Sequence, residues 1–187
     1  MTEMETTDNS KEQKNLKLRR IIRYTVAGIA IVALIFILIE GYNFYRLSPQ
    51  RLYSEKYIAY ELKQAGNESS KIEKAYKEKK YWDVITISSG SVISGRDIFL
   101  TGLAYLETKN FSKAVSSFQI VIAETQKDTT LKLKDEAEYY LALAYLQNRD
   151  YDQAIELMST IHNDASHPHT KKFTKRYINS VKRLKWR

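Results

Sequence analysis

The most concentrated chemistry in the sequence is His162, His167 and His169, with Asp164 among them. Imidazole nitrogens and a carboxylate oxygen are donors that hold zinc and similar ions, and a His-Pro-His step could present two of them together. The set is incomplete as a metal centre. These histidines do not repeat on a helical face, and they fall in what reads as a loop ahead of a final helix. Cysteine is absent, which removes thiolate metal sites, disulfides and cysteine nucleophiles at once. No Ser/His/Asp grouping, glycine-rich phosphate loop or paired-carboxylate motif is present. The sequence therefore assigns no catalytic residue, no metal and no cofactor, and it reads as a binding protein rather than an enzyme.

The elements that would position any binding residue are helices. Only two prolines (Pro49, Pro168) and six glycines interrupt the 187 residues, strand-like alternation is scarce, and 43% hydrophobic residues suffices for one modest core. The net charge of +8 would suit nucleic acid, but part of it is positional, because Lys11, Lys14, Lys17, Arg19, Arg20 and Arg23 crowd in front of one apolar run. That basicity is topological, and nucleic acid is not an expected partner.

The run is Tyr24 to Ile39, 16 residues without a charge, and it reaches about 20 if Arg23 snorkels to the headgroups. A soluble core helix needs a polar face, and this segment has none, so 21–41 is read as a transmembrane helix behind a disordered cytoplasmic tail at 1–20. The exit sequence Ile39-Glu40-Gly41-Tyr42-Asn43 lacks the small residues of a signal-peptidase site, so the anchor is expected to stay. Six Lys/Arg precede the span, against Arg46 and Arg51 beyond it, which places the N-terminus in the cytoplasm and exports the rest. Tyr42, Phe44 and Tyr45 then form an aromatic belt at the far interface.

Beyond the anchor, Ser48-Pro49 reads as an N-cap with proline at the first helical position, opening a tyrosine-rich helix to about Gln64 within a capping region at 42–69. Ser70-Lys71-Ile72-Glu73 has the spacing of a capping box. Then small residues recur where two helices would touch. Gly102, Tyr105, Ala114 and Phe118 mark one hairpin over 95–128, and Ala142, Tyr145, Ala154 and Met158 repeat it about 40 residues later over 135–162. A degenerate copy spans 70–94, and a basic capping helix at 163–187 carries Phe173, Tyr177, Val181 and Leu184 at helical spacing.

The segments Gly102-Leu-Ala-Tyr105 through Ala114-Val115 and Ala142-Leu-Ala-Tyr145 through Ala154-Ile155 resemble the tetratricopeptide repeat family. The resemblance implies an all-α chain: an N-terminal transmembrane helix followed by a short solenoid of helical hairpins. It also implies a protein partner, held as a peptide or helix in the groove lined by the first helix of each hairpin. Carried over position by position, that groove is Phe99, Leu103 and Leu106 beside Tyr139, Leu143 and Leu146. These side chains are apolar, so a lysine/asparagine clamp for a terminal carboxylate is not expected. The groove either receives a partner's hydrophobic segment or is filled by one of the chain's own terminal helices. In the first case, Tyr139→Glu or Leu143→Glu is expected to abolish capture.

The layout is similar to bacterial inner-membrane proteins that present such repeats to the periplasm, which implies a scaffold or adaptor in envelope assembly or protein export. Mitochondrial import receptors share the layout with the opposite address, their repeats binding amphipathic presequences in the cytosol. The basic face of the last helix (Lys171, Lys172, Lys175, Arg176, Lys182, Arg183, Lys185, Arg187) adds a contact for anionic lipid or an acidic partner as alternatives to a simply solvated surface.

Overall fold

The computed structural model describes the backbone of residues 2–62, 70–90, 94–127 and 133–186. Gln64, where the tyrosine-rich helix was expected to end, lies outside the described residues. Among those described there are nine helices and no strand. The chain divides into two compact units, residues 1–46 and 47–187.

The first unit is one helix, α1 (Thr2–Tyr45). Residues 2–20, which composition reads as a disordered tail, continue the same helix here. Met, Glu, Gln, Lys and Leu are strong helix formers, and no proline or glycine interrupts the helix before Gly28. Within α1, Ile22–Tyr42 is 21 residues long and apolar enough to cross a membrane, with none of it buried by the protein. At 1.5 Å per residue its length is about 30 Å, the thickness of a bilayer's hydrocarbon core.

The second unit is built from three hairpins, α3/α4 (Lys71–Lys77, Tyr81–Ser89), α5/α6 (Gly95–Glu107, Phe111–Lys127) and α7/α8 (Lys134–Asn148, Tyr151–Asn163). Before them comes α2 (Pro49–Lys56), and after them α9 (Lys175–Leu184). From α3 to α9 successive helices pack on one another, and the first helices α3, α5 and α7 are also neighbours, forming one layer of the stack. Against that layer, on α7, lies α2.

One turn is used three times. Lys79, Lys109 and Arg149 adopt left-handed backbone at φ 57°, 60° and 68°. After each, the next amide donates back across the turn: Lys80 to the Ala75 carbonyl at 2.9 Å, Asn110 to Tyr105 at 2.8 Å and Asp150 to Tyr145 at 2.9 Å. This satisfies carbonyls that a helix end would otherwise leave open. Ala75 therefore stands where Tyr105 and Tyr145 stand, and Val84 where Ala114 and Ala154 stand. Ala114, Ala154 and Val84 are fully buried at the close approach of the two helices in each hairpin.

Capping follows the sequence with two departures. The Ser48 hydroxyl accepts the Arg51 amide, but the helix expected to reach about Gln64 ends at Lys56. From Tyr57 the backbone is extended (φ −62°, ψ 127°), for reasons that lie in its contacts. The Ser70 hydroxyl accepts the Glu73 amide at 3.0 Å, completing one half of the capping box. The Glu73 carboxylate turns inward instead, 3.4 Å from Lys77 Nζ and 3.6 Å from Arg96 Nη2.

Candidate functional site

The layer formed by α5 and α7 presents the six residues expected to line a groove, and all are inside the domain. Phe99, Leu103 and Leu143 are 0% exposed, and Leu106, Tyr139 and Leu146 at most 2%. Of the two alternatives, a face open to a partner or one filled by the chain itself, the structure has the second: Tyr60 packs on Phe99, α2 lies on α7, and His169 and Phe173 stack on Tyr139. A concave aromatic and aliphatic surface without charge is costly to hydrate, and the nearest segment able to cover it is rich in tyrosine. Glutamate at Tyr139 or Leu143 would therefore bury an unpaired charge and destabilise the domain, so these substitutions no longer report on partner capture.

The cover is attached through its backbone. The Tyr139 hydroxyl donates to the Lys56 carbonyl, Tyr140 to that of Ile58 at 2.7 Å, and Gln147 Nε2 to that of Pro49 at 3.0 Å. From the last helix, the Tyr177 hydroxyl donates to the Leu52 carbonyl at 2.8 Å. In the reverse direction, Tyr57 donates its hydroxyl to the Glu107 carboxylate. These bonds account for the early end of α2. An α-helix through Ile58 would direct that carbonyl along its own axis, away from Tyr140.

Aromatic rings fill the space between. Tyr140 is the hub, its ring 6.2 Å from Tyr57, 6.4 Å from Tyr60, 6.0 Å from Phe99 and 6.1 Å from Phe118. Tyr60 meets Phe99 edge-on at 5.0 Å, and Tyr53 stacks on Tyr57 at 4.9 Å. Burial pushes the phenols of Tyr53, Tyr57, Tyr140 and Tyr177 well above their ordinary range, with the hydrogen bond to Glu107 adding to the rise at Tyr57. Burial raises Tyr139 to about 12. The hydroxyls of Tyr139, Tyr140 and Tyr177 therefore stay neutral donors at physiological pH, the form their carbonyl partners require, as does that of Tyr57 towards the Glu107 carboxylate.

Tyr57, Tyr60, Glu107, Tyr140 and Gln147 were not legible as site residues. Only the density of tyrosine between 53 and 60 hinted that this segment does more than cap an end.

The structure sets the rings of His167 and His169 5.7 Å apart and gives each a carboxylate partner from α7. His169 Nε2 lies 3.0 Å from Glu136 Oε2, and its ring stacks on Tyr139 at 4.3 Å. His167, buried, has Nε2 3.4 Å from Glu138 Oε2, and Asp135, Glu138 and His167 bring one ligand atom each within 4.8 Å of the others. The ring's tautomer decides what this trio can do. His167 Nδ1 accepts the His169 backbone N–H at 3.1 Å, so a neutral ring carries its proton on Nε2, towards Glu138. The lone pair a cation would need is not available in that arrangement. Asp164 forms a turn with Ser166, whose hydroxyl and amide hold its carboxyl below the usual range, and His162 contributes its carbonyl to Thr170. The histidine segment thus pins the approach to α9 onto α7.

The repeat residues are where packing needs them. Ala114, Phe118, Ala142, Ala154 and Met158 are fully buried and Gly102 is buried, while Tyr105 and Tyr145 are half-buried, the latter accepting a hydrogen bond from Gln119 Nε2 at 2.9 Å. No curated protein and no solved structure matches the chain. Residues 136–165, the α7/α8 hairpin with the turn after it, match the tetratricopeptide repeat family model, so the chain carries a tetratricopeptide repeat in this segment.

Proposed function

We propose that this chain is a membrane-tethered scaffold or adaptor, anchored by residues 22–42 with its N-terminus in the cytoplasm, whose helical domain is exported and binds a protein partner. Its setting would be the periplasmic side of an inner membrane, in envelope assembly or export. The observation that carries the reading is the tetratricopeptide repeat at 136–165, stacked with two hairpins that share its turn. Repeats of this kind are surfaces for holding other chains. The presequence-receptor alternative differs in address, its repeats facing the cytosol.

The partner competes with, or docks over, the resident segment 48–62. Tyr139, Tyr140 and Gln147 grip backbone carbonyls, which every peptide segment offers, so they are suited to exchanging one occupant for another. The test is a photocrosslinking amino acid placed in the full chain in its native membrane. At Ile58, exposed on the cover, a discrete protein adduct is expected; at Ile120, exposed on α6, none is. No adduct from Ile58, or equal adducts from both positions, would contradict the reading.

A further inference from the structure

We propose that the exposed face of α9 docks on the anionic headgroups of the bilayer in which the chain is anchored. The inference rests on the reading of residues 22–42 as a membrane span.

The helix divides its residues by face. Tyr177, Ile178, Val181 and Leu184 are buried against the domain, whereas Lys175, Arg176 and Lys182 are exposed, and Trp186 in the turn that follows is 84% exposed. At 100° per residue Lys175, Arg176 and Lys182 share one half of the α9 circumference. Lys185 differs, its ammonium 2.7 Å from Asp152 Oδ1. Among the described residues, Lys171, Lys175, Arg176 and Lys182 have no acidic partner. Residues 165–187 hold eight Lys/Arg and no Asp or Glu, as much positive charge as the net +8 of the whole chain.

Such a face adds little to the fold: Lys182 in the last turn complements the helix dipole, whereas Lys175 and Arg176 in the first turn oppose it. Like charges along one exposed surface repel, and neutral polar residues would solvate it equally well. An exposed indole beside them lowers solubility. Both features suit one environment, a membrane–water interface, where phosphate groups attract lysine and arginine and tryptophan settles at headgroup depth. A row of cations without a fixed bidentate geometry also suits a continuous anionic surface better than a single phosphate.

Chain connectivity supports the same occupant. The apolar stretch ends at Tyr42, and Tyr177 of α9 bonds the carbonyl of Leu52, about ten residues on. Even fully extended, that length of chain reaches only about 35 Å. Leu52, to which Tyr177 is bonded, is thereby tethered within that length of chain from the span.

The test uses the full chain with Trp82→Phe, which leaves Trp186 as its one tryptophan. It is reconstituted into vesicles of phosphatidylcholine, alone or with about 30 mol% phosphatidylglycerol, the lipids carrying bromine as a contact quencher. Trp186 fluorescence is expected to be quenched in the anionic vesicles only. The quenching should fall to the neutral-vesicle value in about 0.5 M salt, where screening shortens to a few Å, and in K175E/R176E/K182E, whose fold is checked by circular dichroism. Equal quenching in neutral vesicles would overturn the proposal, since the tether alone would then explain proximity. So would binding of a DNA duplex with the same charge dependence while anionic vesicles leave Trp186 unquenched. Resistance to alkaline extraction separates the two readings. A chain that fails to insert refutes the span and the proposal with it, whereas an inserted chain with unquenched Trp186 refutes the lipid contact alone.

Discussion

A methyl group at position 102 would lie 2.8 Å from Phe118 Cε1 and 3.1 Å from two further ring carbons. The ring is rigid and wholly buried, with Phe99 at 5.7 Å and Tyr140 at 6.1 Å, so it cannot swing aside as a lysine tip would. In the α7/α8 hairpin the corresponding pair is Ala142 and Met158. A flexible thioether makes room for the methyl that a phenyl ring excludes. Gly102→Ala gains about 1 kcal/mol of helix propensity but meets an overpacking cost of about 1–3 kcal/mol, so a net loss of stability is expected. Urea denaturation should show G102A/F118M to be more stable than the sum of its single variants by about 1 kcal/mol or more. Simple additivity would mean that the two positions do not share this space. The side-chain pattern makes the two well-formed hairpins readable. The left-handed residues Lys79, Lys109 and Arg149 reveal that the third has the same turn, a feature no side-chain pattern announces because lysine and arginine carry no preference for it.

At the scale of elements, α2 and the extended residues after it explain most of what the sequence did not disclose. Leu52, Tyr53, Tyr57 and Tyr60 are spaced as a helix face would be, so a longer helix was a reasonable expectation. The helix ends because Tyr140, 82 residues along the chain, takes the Ile58 carbonyl. A contact at that separation leaves no trace in local periodicity. The same holds for Glu136 and Glu138, which meet His169 and His167 only once α7 and the approach to α9 are packed together.

The element-scale prediction concerns alkaline pH. The phenols of Tyr57, Tyr139, Tyr140 and Tyr177 are raised above the ordinary 10.0 by burial, so above that pH the unfolded chain releases protons that the folded chain retains. Stability is unaffected below pH 10 and falls as pH rises beyond it, because the folded state binds more protons than the unfolded one. Absorbance at 295 nm should therefore show these phenols ionising together with loss of helical circular dichroism. Smooth titration of every tyrosine near pH 10, with helicity intact, would contradict the buried cover.

At the scale of the whole molecule, the order of parts was legible: an apolar span, helical hairpins and a basic final helix. Gly102, Tyr105, Ala114 and their counterparts identify the architecture because helix packing constrains residue size locally. Whether the concave face is open was not legible, since apolar residues in a groove and apolar residues in a core look alike in sequence. Residues 48–62 close that face, and hydrogen exchange on the full chain in a membrane mimetic is the most direct measure of the closure. A helix of eight residues such as α2 is not stable in water by itself, because helix nucleation is costly, so slow exchange there requires docking. With the face closed, the amides of Leu52 to Lys56 are protected alongside those of α7; exchange of α2 at the unprotected rate while α5 to α8 stay slow would contradict closure.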